Sequence, residues 1–248
     1  MAVGKAALNS IIVGRSACRL WHLPLLRSSG DITVSTAGGR SSTGKRHWPE
    51  GVRMQQLQIP PGDVLEWKGV RVTSLERSVI DLCRFEPFAD GLVTAEGYLR
   101  QGPPNHISRL ERKAAEMGRV RGIRQVRKIL ALADHLSESP AESYAKAVIH
   151  EAGLTKTLFQ QVAVESSAGI FRLDFLADGW LAIEVDGEVK YALPPDELAE
   201  ALRRERAREK AILNLGYTLI RASWKQIADG TLLADIRQAY HVRNTRLR

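Results

Sequence analysis

The sequence predicts an α/β protein in which a mixed sheet flanked by helices fills the C-terminal part, residues 136–248, and a smaller α+β domain occupies residues 1–135. Three observations predict this. After Pro140 the chain runs through a helical stretch, three strand-length apolar runs, a long charged helical stretch, one more strand and a closing helix. The first strand connections, Ser166-Ser-Ala-Gly169 and Asp178-Gly179, are short enough for antiparallel hairpins, whereas the last strand is reached through a helical crossover. Between the two halves, Asp134 to Pro140 is polar and ends in proline, as a linker does.

In order along the chain, a short helical stretch is expected over about Lys5 to Leu23, then a glycine- and serine-rich loop from Ser28 to Lys45. Strands are expected at Val52 to Ile59 and Val70 to Thr73. A helix follows from Ser74, a suitable N-cap, to Arg84, with Leu75, Val79, Ile80 and Leu82 at helical spacing. Further helices are predicted at Phe88 to Gln101, Ile107 to Glu116 and Gly122 to Leu132, the first two separated by Gly102-Pro-Pro-Asn105. In the C-terminal part the helix Pro140 to Ala152 ends at Gly153. Strands follow at Phe159 to Val164, Ile170 to Leu176 and Leu181 to Val185, then the helix Asp196 to Leu215, the strand Tyr217 to Ala222 and the helix Thr231 to His241.

Composition narrows the class of protein. With 248 residues, 44% hydrophobic and 26% charged, the chain has the make-up of a globular protein with a real core. No apolar run approaches the ~20 residues of a membrane helix, so neither insertion nor export is expected. Cys18 and Cys83 form no disulfide framework and have no zinc-ligand spacing, which fits a reducing cytoplasm. His22, His47, His106, His135, His150 and His241 likewise show no ligand pattern. The net charge of +8 favours a polyanionic partner.

The most informative segment is Leu181-Ala-Ile-Glu-Val-Asp-Gly187. Strand side chains alternate, so Glu184 and Asp186 share one face while Ile183 and Val185 take the other. Two carboxylates so placed repel each other and lose hydration unless a cation or basic groups stand close. Asp174, on the strand that Asp178-Gly179 folds back, adds a third acid; Glu142, Gln161 and Lys190 complete a candidate phosphodiesterase centre. Magnesium takes oxygen ligands and needs only one or two carboxylates besides water and phosphate, so Asp174 with Glu184 or Asp186 and a backbone carbonyl would serve.

The order Ser139-Pro-Ala-Glu-Ser143, Gln161, Arg172-Leu-Asp-Phe175, Glu184-Val-Asp-Gly187, Glu205, Arg208, Ile212, Gly216-Tyr217 and Arg221 resembles an actinobacterial family of Vsr-like domains of unknown function in the PD-(D/E)xK, restriction-endonuclease-like superfamily, over about Ser137 to Ile236. The resemblance implies a restriction-endonuclease-like sheet and a magnesium- or manganese-dependent endonuclease acting on DNA. It implies metal ligation by Asp174 and Glu184, with Asp186 where many members have lysine, Glu142 as the helix acid and Gln161 in support. Lys190 stands where relatives carry histidine and Lys146 where they tend to carry arginine. In the first half, Ser16-Ala-Cys-Arg-Leu20, His22-Leu-Pro24 and Val72-Thr-Ser-Leu-Glu-Arg-Ser-Val-Ile-Asp-Leu82 resemble AbiEi-type antitoxin and regulator proteins. That likeness implies a partner from a toxin–antitoxin or defence locus; a winged helix-turn-helix, often first in such proteins, is not expected in this chain.

Plainer readings stand beside these. Ser139-Pro-Ala-Glu142 is also a helix cap, and Asp174 shares its face with Arg172. The alternative to a metal site is that these acids form an ion-paired structural cluster, in an antitoxin-like, non-enzymatic DNA-binding protein with a degenerate nuclease fold. On the long helix, Arg204 and Arg208 share a face and, with Arg221, are candidates for phosphate contact, against a solvated surface. Trp180 and Trp224 are expected to pack at strand ends.

Overall fold

The computed structural model describes residues 10–27, 30–36, 49–166, 169–186 and 195–246. The chain divides into two compact units, residues 1–135 and 136–248, and each has its own mixed sheet. The first is therefore not the smaller of the two. Among the described residues there are nine α-helices, none long and apolar enough to cross a membrane.

In the N-terminal unit, β1 (Ser10–Ile12) and α1 (Gly14–Leu20) replace the single helix expected there, whose first residues lie outside the described set. The Ile11-Ile12-Val13 patch is too short and β-branched to favour a helical turn, and Ile11 and Val13 are fully buried. β2 (Ile32–Thr36) lies inside the expected loop, and β3 (Val52–Met54) is shorter than expected. β4 (Val64–Trp67), missed in the sequence, forms a hairpin with β5 (Val70–Thr73) through Lys68-Gly69, both at positive φ. The strand order is β3-β2-β1-β5-β4.

Four helices follow: α2 (Leu75–Phe85), α3 (Phe88–Arg100), α4 (Ile107–Met117) and α5 (Ile123–Leu132). α2 is central, touching α1, α3, α4 and α5. Ser74 precedes it without a side-chain cap; the Ser78 hydroxyl donates to the Ser74 carbonyl instead. Cys18 and Cys83 are buried free thiols in this core, and burial pushes Cys83 up to about 12. Gly122 opens α5 at φ +83°, where an added Cβ would lie 2.4 Å from the Arg84 carbonyl oxygen. Gly122→Ala is expected to destabilise this unit by about 2–4 kcal/mol, measured by denaturant unfolding.

The C-terminal unit follows the predicted order: α6 (Pro140–Ala152), β6 (Leu158–Ser166), β7 (Gly169–Ala177), β8 (Leu181–Asp186), α7 (Pro195–Asn214), β9 (Thr218–Ser223), then a short α8 (Trp224–Ala228) not foreseen, and α9 (Thr231–Arg246). β6, β7 and β8 form an antiparallel meander, and β9 returns parallel to β8 after α7. Alternation along the strands supplies two packing faces. Phe175, Ile183 and Ala222 join Ala145 and Ile149 of α6, Ile227 of α8 and Ile236 of α9, while Leu176 and Ala182 pack with Ile212 of α7. Trp180 packs edge-on against Tyr240, with ring centroids 5.0 Å apart, and Tyr144 meets Trp224.

Candidate functional site

The strand registers build one row of polar residues across the second sheet. Gln160 and Val162 pair with Phe175 and Leu173, so Gln161 stands across from Asp174. Phe175 pairs with Ile183, which sets Asp174 across from Glu184, and Glu184 pairs with Arg221. Gln161, Asp174, Glu184 and Arg221 thus occupy neighbouring positions on four strands. Asp174 and Glu184 thus face each other across the hairpin, but the expected convergence of three acids with Asp186 is not found among the described residues.

Glu184 is buried, and its surroundings differ from the expected metal ligand. It shares a face with Ala182, which packs on Ile212 of α7, and Arg208 lies one helical turn before Ile212. The helix therefore brings Arg208 onto the carboxylate: its Nη2 donates to Glu184 Oε1 at 2.5 Å and to the Arg172 carbonyl at 2.8 Å. Arg221 Nη2 reaches Glu184 Oε2 at 3.4 Å and binds Glu205 more closely. Both Glu184 oxygens are thus held by guanidinium groups. Burial still outweighs the two arginines and leaves the Glu184 carboxyl above its ordinary pKa.

Three expectations change with this clamp. Glu184 is an arginine-paired acid rather than an open cation ligand. Arg208 and Arg221 are directed at Glu184 and Glu205, not outward toward nucleic acid. Asp186 lies 4.0 Å from Arg221 at the edge of the network. Of the arginines expected to meet phosphates, Arg204 is exposed and pairs with Glu200 one turn away. The sequence names Glu205 only within the resemblance and gives it no role at the site; Glu205, Arg208 and Ile212, at i, i+3 and i+7 on α7, carry the signal.

Asp174 is engaged differently. Its Oδ2 accepts from the Val185 amide at 2.8 Å, while Oδ1 has no hydrogen-bond partner among the described residues. Arg172 does not pair with it but binds Glu138 at 2.5 Å. Burial raises the Asp174 carboxyl above its ordinary pKa, the Val185 amide and Arg208 opposing. Asp174 in turn helps raise both Glu142 and Glu184, so it stands within electrostatic reach of each.

Glu142 caps α6 as the sequence suggested, and also does more. Its amide donates to Ser139 Oγ at 3.1 Å, the Ser139 hydroxyl donates to Glu142 Oε1, and Oε2 accepts from the Glu138 amide at 2.8 Å and from Gln161 Nε2 at 3.1 Å. Because Glu142 only accepts, it fixes the Gln161 amide with nitrogen toward itself. The other end, Gln161 Oε1, is buried with no partner, and Gln161 holds φ +52° in the middle of a strand. A left-handed non-glycine residue and an orphaned buried acceptor each cost about 1–3 kcal/mol.

The unused oxygens, Asp174 Oδ1 and Gln161 Oε1, therefore belong to residues directly across the sheet from each other. Hard oxygen donors in an acid-rich setting fit a divalent cation that completes its shell with water. Among the described residues no three His, Cys, Asp or Glu side chains are grouped to hold a metal, so the fit rests on this pair. Lys190 lies outside the described residues. No family model matches the chain, and neither does any curated protein or solved structure.

Proposed function

We propose that the C-terminal unit is a divalent-cation-dependent endonuclease that hydrolyses phosphodiester bonds in DNA, with magnesium or manganese at Asp174. The observation that carries this reading is the pair of unused oxygens, Asp174 Oδ1 and Gln161 Oε1, beside raised carboxyls in a strained row. The orphaned Gln161 acceptor carries a cost that a cation shared with Asp174 would remove. The resemblance to Vsr-like, restriction-endonuclease-like domains and the meander with a parallel fourth strand support the same reading.

In this reading Asp174 and Gln161 supply the protein's cation ligands. Glu142 holds the Gln161 amide in place. Glu184 fixes Arg208 and Arg221 beside the row, where their charge offsets that of the acids. Lys190 is assigned to neutralising charge on the phosphate. A bound cation would polarise a phosphate oxygen and ease ionisation of a water. Incubated with supercoiled plasmid and magnesium, the purified chain is expected to nick it, and Asp174→Ala to do so at least about a hundredfold more slowly. Equal nicking by the two proteins rejects the assignment.

The double-arginine clamp on Glu184 favours a second reading, a non-enzymatic, antitoxin-like regulator with a degenerate nuclease fold and a partner from a toxin–antitoxin or defence locus. Metal titration separates the two. A nuclease gains thermal stability with magnesium or manganese, and indifference to both selects the regulator. The buried thiols Cys18 and Cys83 suit a cytoplasmic setting for either.

A further inference from the structure

The positive charge of the protein is not shared between its units. Residues 1–135 hold 21 lysines and arginines against 12 aspartates and glutamates, whereas residues 136–248 hold 15 against 16. The unit with the carboxylate row is thus near neutral, and two of its arginines are occupied by Glu184 and Glu205. A polyanion attracted by the net charge is attracted to the N-terminal unit.

The surplus there is concentrated. From Arg109 to Lys128, eight basic residues stand against two acids, Glu111 and Glu116. On α5, Ile123, Val126, Ile129 and Leu130 are buried and fix the helix on the unit. Arg124, Arg127 and Lys128, three and four residues apart, are exposed on its other side, as are Arg119 and Arg121 in the loop before it. None of these five side chains has an ion-pair partner among the described residues.

We propose that the loop between α4 and α5 and the exposed face of α5 dock the phosphate backbone of duplex DNA. Like charges at this spacing repel each other, and among the described residues no acid pairs with them. Four of the five are arginine, whose planar fork binds phosphate through two parallel hydrogen bonds. Leu65 is the one large apolar side chain exposed among the described residues of this unit, and it lies on β4. The basic face thus lacks the apolar anchors that a membrane surface or an apolar peptide requires. Contacts of this kind position a duplex without reading its sequence.

The inference rests on the proposed function only in naming DNA as the partner, and its test is run in EDTA so that cleavage plays no part. Fluorescence anisotropy of a labelled duplex with the full chain, repeated over a range of salt concentration, gives the slope of log affinity against log salt. Each phosphate contact contributes about 0.9 to that slope, so the combined variant Arg124→Gln, Arg127→Gln, Lys128→Gln is expected to lose about 2.7 of it and to bind at least tenfold more weakly. The variant Arg119→Gln, Arg121→Gln is expected to lose about 1.8, and supplies the answer if the first unfolds. Slopes unchanged in a folded variant overturn the proposal. Binding to vesicles of anionic phospholipid without binding to duplex overturns it as well. Absent nicking with intact duplex binding would instead count against the catalytic reading alone.

Discussion

Replacing Arg77 by methionine is expected to destabilise the N-terminal unit by about 3–5 kcal/mol and to lower its melting temperature by roughly 10 °C or more. Arg77 is 2% exposed, and every arm of its guanidinium is used. Nε donates to Asp81 at 2.7 Å, Nη1 to Asp63 at 3.0 Å and Nη2 to the Gln58 carbonyl at 2.9 Å. Those partners come from α2 itself, from the turn before β4 and from the segment after β3, so one side chain ties the sheet's outer connections to the central helix. Methionine fills much the same volume, which separates the charge effect from a cavity effect. It leaves Asp63 and Asp81, both buried, with only Lys113 and Arg84 respectively, and leaves the Gln58 carbonyl unpaired. Adding Asp63→Asn and Asp81→Asn to the methionine variant is expected to recover part of the loss, because the cost resides in uncompensated buried charge. Denaturant unfolding measures both; a loss below about 1 kcal/mol for Arg77→Met would mean that the network contributes little.

That network also marks where sequence reasoning stops. The helix Leu75–Phe85 was legible from apolar spacing, and Arg77 and Asp81 at i, i+4 look like an ordinary solvent-facing pair. Their burial depends on Asp63 and Lys113 arriving from distant segments, and no local pattern carries that information. In the second unit periodicity and turn chemistry gave every strand and the crossover, since the strands there run six to nine residues and glycine or proline stands in several of the connections. The misses share a cause. β1, β2 and β4 are three to five residues long, with few alternating positions; β1 is held by pairing with the distant β2 and β5, whereas β4 is a short edge strand of a local hairpin. Within the site, the facing of Asp174 and Glu184 follows from strand alternation and a short turn. The positive φ of Gln161 and the reach of Arg208 onto Glu184 do not, because both depend on how α6 and α7 settle against the sheet.

Asp174→Asn is expected to separate stability from function in a way that Glu184 would not. The amide retains an oxygen to accept from Val185, so the backbone contact at 2.8 Å survives, while the charge that burial disfavours is removed. Without divalent cations and at neutral pH the variant is expected to be more stable than the native chain, by on the order of 1 kcal/mol. The pH dependence has a definite sign. The folded-state pKa of Asp174 lies above its unfolded value, so folding takes up a proton in the interval between them. The native chain is therefore penalised fully above the folded pKa, progressively less as pH falls through it, and not at all below the unfolded value. The advantage of asparagine is accordingly expected to shrink on acidification and to widen toward neutrality. Magnesium reverses the order. At a concentration 100 times its dissociation constant a cation bound only to the folded state stabilises by about 2.7 kcal/mol, and a variant without the carboxylate forfeits most of that gain. Thermal unfolding of both proteins across pH, with EDTA and with magnesium, measures all three differences. A variant less stable than the native chain in EDTA would mean that Asp174 serves the fold, as the paired acid Glu184 does. Equal stabilisation of both proteins by magnesium would place the cation elsewhere and end the case for hydrolysis at this row.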